Sequence, residues 1–411
     1  MQINAGDTAW IIVASALVLL MTPGLAFFYG GMVRSKNVLG MLAQNYVTMG
    51  VVSVLWVLGV YSLAFNGKNS LIGNFHQFGL AHMGEQATGF ALTIPPLVFV
   101  AFQLMFAIIT PALITGGIAD RMKFGAWIIF SGVWLILVYA PIAHWVFSPS
   151  GWLFKKGAED FAGGTVVHAN AGAAALAVIL VLGKRHGWPK ERMRPHNVPF
   201  VLLGAGLLWF GWFGFNAGSA LAANNLSAYA FVNTNTATAA ALLGWLIVEK
   251  LRDGHATTLG AASGAVAGLV AITPACGFVS PLGSIAIGLA AGVVCALAVG
   301  LKNIFKFDDA LDVVGVHLVG GVLGALLIGF FGTKAINGAN GLFYHGGWHL
   351  LGIQTICVLA AVIYSFVATY IIAFVMDKTI GLRISQEQEY QGMDLSLHSE
   401  TAYETASGGL R

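Results

Sequence analysis

The stretches GGTVVHANAGAAALAVILVLG (163–183) and DVVGVHLVGGVLGALLIGFFG (312–332) decide how this chain is read. A membrane-spanning helix needs about 20 mostly apolar residues, and each stretch has that length. Each also carries one histidine in its interior, His168 and His317. An ionisable ring at bilayer depth is expensive, so it lines a polar pathway or answers a partner. The pair is the first functional lead.

Working outward, the rest of the chain reads the same way. Of 411 residues, 57% are hydrophobic and only 9% charged, against about 25% charged in an average soluble domain. A soluble enzyme with this balance would precipitate. Eleven segments qualify as spans, near 8–31, 43–65, 89–118, 124–147, 164–183, 197–219, 228–251, 257–275, 281–301, 313–332 and 350–376. The expected fold is therefore an all-α integral membrane protein with eleven transmembrane helices. Residues 1–378 form the transmembrane domain and 379–411 a polar tail.

The first 33 residues contain no Lys or Arg, so the basic region of a secretory signal is missing and the first apolar segment is expected to remain as helix one. If the amino end lies outside, sixteen of the twenty basic residues fall in inner loops and the tail, and only Lys68, Lys155, Lys156 and Lys334 outside. That bias predicts an outer amino terminus. An odd helix count then places the carboxyl end in the cytoplasm. The net charge of +3 is this same bias and does not imply nucleic-acid binding.

Cys276, Cys295 and Cys357 show no paired spacing and read as small packing residues rather than a disulfide or metal framework. Glycine, 53 residues of 411, is nearly twice as frequent as usual. Gly264/Gly268, Gly288/Gly292 and Gly320/Gly324 repeat at a spacing that lets helix backbones approach closely in lipid. Tight packing within the chain is the plainer reading, and an oligomer contact the sharper one.

The histidine helices suggest an inverted repeat. Asp160 precedes His168 by eight residues at the outer end of helix five, while Asp309 and Asp312 precede His317 by eight and five at the inner end of helix ten. Segments 8–183 and 197–332 would then be halves of opposite topology, with a site between them at mid-depth. Helix eleven, 350–376, stands outside the repeat.

At this point local strings become recognisable. The chain resembles the ammonium transporter family (Amt, Mep and Rh proteins) in PGLAFFYGGMVRSKNVL (23–39), DFAGGTVVH (160–168), GWFGFNAGS (211–219), AFVNTNTATAAALLGW (230–245), GAASGAVAGLVAITPACG (260–277), DVVGVHLVGG (312–321) and GLRISQEQEYQGMDLSLH (381–398). The resemblance implies an outer ammonium recruitment site at Ser219 with aromatic faces around it, Phe102 and Phe147 among them. It implies a gate of stacked rings, Phe106 and Phe215, and a pore lined by His168 and His317. Phe147 stands where the family commonly has tryptophan, with Trp145 two residues earlier. Tryptophan is the best cation–π partner, so weaker recruitment is expected unless Trp145 or Trp152 substitutes. The resemblance also implies a homotrimer in the plasma membrane, ammonium or methylammonium as substrate, no cofactor, and a trimeric PII-type signal protein as cytoplasmic partner. The basic loop KRHGWPKERMRPH (184–196) and the acidic tail, with Glu387, Glu389, Asp394, Glu400 and Glu404, would receive it.

The chemistry can be argued without the family. Ammonium and potassium share size and charge, so a pore of fixed width separates them poorly. Only ammonium can leave a proton behind. A narrow apolar passage disfavours the charged form by desolvation, neutral ammonia proceeds between imidazoles that accept or donate one hydrogen bond at a time, and a separate relay, built on the rings' two nitrogens, moves the proton. Net charge then moves with each cycle.

Plainer readings stand beside this one. The histidines could be satisfied core. Asp160 and Asp312 read first as structural acids that pin helix ends, and Phe106 and Phe215 would be ordinary core but for the motif match. Two histidines lack the third ligand that zinc needs. No nucleophile, metal-ligand or phosphate-cradling motif of an enzyme appears. The remaining alternatives are a neutral ammonia channel and an ammonium sensor.

Overall fold

The structure, a computed structural model, describes residues 2–83, 92–191 and 193–403. The expected start of the third span at 89–91, the basic residues Arg192 and Arg411, Glu404 and the tail beyond 403 lie outside the described residues.

The described residues are helical, with two isolated bridges, Met122 to Arg383 and Val279 to Gly332, and no sheet. Among the described residues ten helices are long and apolar enough to cross a membrane: α1 (Ala5–Met32), α2 (Ser35–Phe65), α3 (Pro96–Ile118), α4 (Phe124–Lys155), α5 (Gly164–Leu182), α6 (Val198–Gly218), α7 (Asn225–Asp253), α9 (Pro281–Phe305), α10 (Val314–Phe331) and α11 (His349–Thr379). The protein is a multi-pass membrane protein. Between α7 and α9 lies α8 (Thr258–Ile272), with 15 residues. At 1.5 Å per residue it is about 22 Å long, short of a hydrocarbon core of about 30 Å. Pro274 explains the early end, because proline has no N–H to continue the helical hydrogen bonds and its ring crowds the preceding turn. The turn that follows is satisfied inside the protein: Asn233 Nδ2 donates to the carbonyls of Cys276 and Val279, both at 2.8 Å. Irregular backbone at membrane depth is tolerated only in such places.

Helix ends carry local signals. Asn4, Asn197, Asn224, Thr257 and Ser280 cap α1, α6, α7, α8 and α9 with their side chains. The third helix starts at Pro96 rather than in the eighties because Pro95 holds an extended conformation (φ −58°, ψ 142°) and Pro96 occupies the first helical turn, where its missing N–H is no loss.

The packing of the first five long helices corresponds pairwise to that of the next five. α1 lies along α6, and α5 against α10; α1 touches α3 as α6 touches α8, α2 touches α4 as α7 touches α9, and α3 touches α5 as α8 touches α10. α11 packs across α5, α4 and α10. The glycine pairs serve these contacts within the chain. β-carbons on Gly264 and Gly268 would press into Trp245 and Ala241 of α7, those on Gly288 and Gly292 into the backbone of Ala237 and Ala241, and one on Gly324 into the carbonyl of Ala271.

At the end of the bundle that carries residues 34–40, 119–123, 183–197 and 306–313, basic residues that read as topology signals are buried in ion pairs. Arg121, fully buried, meets Asp308 at 3.1 Å and donates to the carbonyls of Gly117 and Asp308. Arg185 grips Asp308 with Nε and Nη2, at 2.9 and 2.7 Å, and reaches Asp120, as Arg34 does. The tail closes over this network. Ile384 N donates to Arg121 O and Lys123 N to Leu382 O. In the short helix α12 (Gln386–Gln391), Glu389 binds Arg383 and the N–H of His186; in α13 (Met393–His398), Asp394 accepts from Gly40 N.

Candidate functional site

Where the first five long helices meet the next five, α5 and α10 each begin with a π-helical turn, Gly164–Ala169 and Val314–Leu318. Such turns are rare and often lie at functional sites. Each is held by an acid eight residues before its histidine. Asp160 Oδ1 accepts the N–H groups of Gly163 (2.9 Å) and Gly164 (2.7 Å), and its Oδ2 those of Thr165 (2.9 Å) and Val166 (3.1 Å). Asp309 accepts from Val313 (3.1 Å) and Val314 (2.7 Å). Burial raises the pKa of Asp160 against the pull of these four N–H groups; burial and then the charge of Asp312 raise that of Asp309. The counterpart of Asp160 is therefore Asp309. Asp312, positioned in the sequence as a structural acid, pairs instead with Lys302 at 2.6 Å; it is half-buried and lines a small pocket with His317.

The turns point His168 and His317 at each other. Their Nδ1 atoms are 3.3 Å apart and their rings lie 5.4 Å centre to centre at 27°. Both are buried, at 1% and 3% exposure. Two nitrogens in hydrogen-bond contact share one hydrogen, so one ring donates from Nδ1 and the other accepts there. The outer nitrogens are then unlike: one Nε2 is a bare acceptor and the other carries a proton. His168 Nε2 has no protein partner.

On one side of this pair the rings of Phe106 and Phe215 stack at 4.2 Å and 25°, both fully buried. Phe215 is 6.1 Å from the His168 ring. Beyond the phenylalanines opens a cavity of about 200 Å³. Phe102, Phe106, Phe147 and Ser219 line it, together with Gln103 and Asp160. Phe106 meets Phe102 at 5.0 Å and Phe147 at 6.4 Å, edge to face. Ser219 donates its hydroxyl hydrogen to Phe215 O at 2.8 Å, leaving its lone pairs to the cavity. Trp145 does not join this lining. Two residues from Phe147 is about 200° around a helix, and its indole donates to Leu71 O at 2.7 Å while its ring packs on Tyr364 and Trp152. Trp152, likewise, is outside the lining. On the far side of the histidines, a small pocket of about 20 Å³ is lined by His317, Asp312, Tyr29 and Ser263. Among the described residues no cluster of three or more metal-binding side chains occurs.

A model of the Ammonium Transporter Family matches residues 9–403. An ammonium transporter of Mycobacterium tuberculosis is 55% identical over 99% of this chain and 92% of its own length, and one of Bacillus subtilis is 47% identical over 97% and 98%. The crystal structure of Candida albicans Mep2 superposes with a TM-score of 0.89 at 37% identity, covering 94% of this chain and 88% of its own. The chain belongs to the ammonium transporter family. It is a transporter and not an enzyme.

Three residues that reading the sequence overlooked lie against these groups. Trp212 stacks on His168 at 5.2 Å and 23°, and is itself fixed by a 2.8 Å hydrogen bond from its indole to Thr273 Oγ1. Gln103 presents an amide oxygen that has no protein partner at the wall of the cavity shared with Ser219. Tyr29, bonded to Leu113 O, borders the small pocket beside His317. The turn from α6 position 208 to 212 to 215 places Trp212 on the same buried stripe as Phe215, a helical spacing visible in GWFGFNAGS. Nothing in sequence alone ties Thr273 to it.

Proposed function

We propose that this transporter carries ammonium inward across the plasma membrane by giving up a proton at the outer mouth. Ammonium, or methylammonium, is recruited beside Ser219 under the faces of Phe102, Phe106 and Phe147, a setting that favours a cation through ring quadrupoles and a lone pair. Passage between Phe106 and Phe215 strips water, which disfavours the ion relative to ammonia. The unlike nitrogens of His168 and His317 offer ammonia one donor and one acceptor in turn, and a shift of the shared hydrogen exchanges their roles. The proton given up outside crosses to the inner side by a separate relay built on the two nitrogens of each ring and rejoins ammonia there, so one net positive charge crosses with each cycle. The reading rests above all on one observation: two buried imidazoles from different halves meet at 3.3 Å behind a stacked phenylalanine pair.

The finer architecture belongs to the same proposal. Eleven spans, with 8–183 and 197–332 as inverted repeats, put the amino end outside and the 379–411 tail in the cytoplasm. The paired contacts and the matched acid caps support the repeat, and the ion-paired basic end supports its inner face. Three copies form the working assembly, and a PII-type protein docks on the 184–196 loop and the tail. Asp160 and Asp309 act as structural acids.

The test is purified protein in liposomes with currents recorded after ammonium, methylammonium and potassium jumps. Ammonium current without potassium current is the expected result; an ammonia-driven pH change with no current replaces the proton relay with a neutral channel. His168→Asp or His317→Glu places an acid in the lumen and admits potassium. A folded, conducting variant that still excludes potassium overturns the relay.

A further inference from the structure

Glu159 stands directly before Asp160, and its surroundings are unlike those of an ordinary loop acid. It is 8% exposed. Oε1 accepts the N–H of Ala339 at 2.6 Å, while Oε2 is buried with no protein partner. Its backbone is clamped by Gln354 of α11, which accepts from Glu159 N at 2.8 Å and donates to Glu159 O at 2.7 Å and to Ala325 O at 3.0 Å. The outer loop 332–348 closes over it: Gly338, at φ +70°, has no room for a side chain because a β-carbon there would run into the carboxylate and the ring of Phe278.

Phe278 connects this acid to the transport site. It lines the outer cavity with Ala158, Asp160 and Phe161, the residues on either side of Glu159. Phe278 and Phe161 meet edge to face at 5.6 Å, and Phe278 O accepts the N–H of Thr333 from the same outer loop. Glu159 therefore sits immediately behind the wall of the cavity in which the cation is held.

We propose that Glu159 is a positioning residue for recruitment, whose ionised carboxylate behind the cavity wall strengthens ammonium binding and whose neutral form weakens it. This rests on the transport reading above and adds to it a dependence on outer pH. Burial, offset only in part by the Ala339 N–H, pushes the carboxyl up to about 7. It is mostly neutral below that pH and mostly ionised above it. The charged or titratable groups on the packed elements are Lys155, Lys156 and Asp160 on its own segment, Lys334, Tyr344 and His345 on the outer loop, His349 and Cys357 on the part of α11 packed here and the Cys276 thiol on the turn after α8. The lysines and histidines are exposed, Asp160 is turned to its four N–H groups, and none forms an ion pair with Glu159 among the described residues. A unit charge behind a cation site, at an effective dielectric constant between those of a protein surface and water, changes binding by roughly threefold to tenfold.

The experiment is methylammonium uptake into liposomes by the full-length protein between pH 5.5 and 8.5, with concentrations expressed as the charged ion. Infrared spectra of the same samples follow the carboxyl C=O band. Expected for the wild type is a KM that falls by roughly threefold to tenfold as pH rises through about 7, together with loss of a carboxyl band. Glu159→Gln keeps the acceptor for Ala339, so a purely structural role survives it; its KM is expected to stay at the wild type's low-pH value throughout, with the band missing. Glu159→Asp restores part of the pH dependence. A wild-type KM independent of pH, or a Glu159→Gln profile that follows the wild type's, overturns the proposal. A wild type that moves no methylammonium at any pH while its carboxyl band titrates refutes the transport reading instead, and the two failures are thus told apart.

Discussion

Asp160→Asn separates a structural acid from one that holds the cargo. The carboxylate serves four backbone N–H groups, two per oxygen. An amide of the same shape can serve two and turns its own N–H groups at the others. A hydrogen bond to a charged group is worth about 1.5–3 kcal/mol net, so two lost bonds remove about 3–6 kcal/mol. Replacing a buried charge by a neutral group returns part of this, which leaves on the order of 3 kcal/mol. Asp309 serves only two N–H groups, so Asp309→Asn forfeits one and loses about half as much. Thermal unfolding of the purified protein, run beside transport in liposomes, reads both variants. The melting temperature of Asp160→Asn is expected to fall by roughly 5 °C for a protein of this size, more than that of Asp309→Asn, with transport lost in proportion to the folded fraction. An unchanged melting temperature with transport abolished would refute the reasoning, because the acid would then be acting on the cation rather than on the helix end.

Gly324→Leu, whose side chain meets the Ala271 carbonyl, is expected to abolish the folded protein, whereas Gly50→Leu, where an added β-carbon meets nothing within 4 Å, is tolerated; size-exclusion profiles of detergent extracts distinguish them. Burial acts to raise the pKa of Asp308, but the hydrogen bonds and charges of Arg185 and Arg121 outweigh it and hold the carboxyl below its usual range. Its stabilisation is therefore complete above the unfolded carboxylate value near 4 and is lost as pH falls through the lower folded value. The melting temperature of the wild type is expected to drop between about pH 4 and 2, and Asp308→Asn to start lower and change less over that interval. Deleting residues 379–411 is expected to uncouple transport from an added PII-type protein; inhibition that persists unchanged contradicts the docking site.

Much of this architecture was legible in the order of residues. Apolar length marks a spanning helix whatever its neighbours, so most expected segments and observed helices agree to within a few residues; the larger differences are an earlier start of α2 (Ser35 against 43), a later end of α4 (Lys155 against 147) and a later start of α3, which Pro95 and Pro96 delay. Pro274 cuts α8 short. The acids were harder. The sequence reading takes Asp312 as the structural acid beside His317, and only the backbone path shows that Asp309 reaches the N–H groups of the π-helical turn while Asp312 turns to Lys302. Trp145 looked like a stand-in for a vestibule tryptophan because it is near Phe147 in sequence, yet helical geometry sends it to Leu71 and Tyr364.

Composition and apolar length by themselves determined that this chain lives in a membrane, and two intramembrane histidines determined where its function had to be sought, because bilayer insertion depends on local hydrophobicity summed over a single segment. Which nitrogens touch, that Trp212 braces His168, that Arg121 and Arg185 share Asp308, and that Glu159 lies behind the vestibule wall were decided only by tertiary structure. These contacts join residues tens to hundreds of positions apart. Their strength depends on burial and angle, which no single segment encodes.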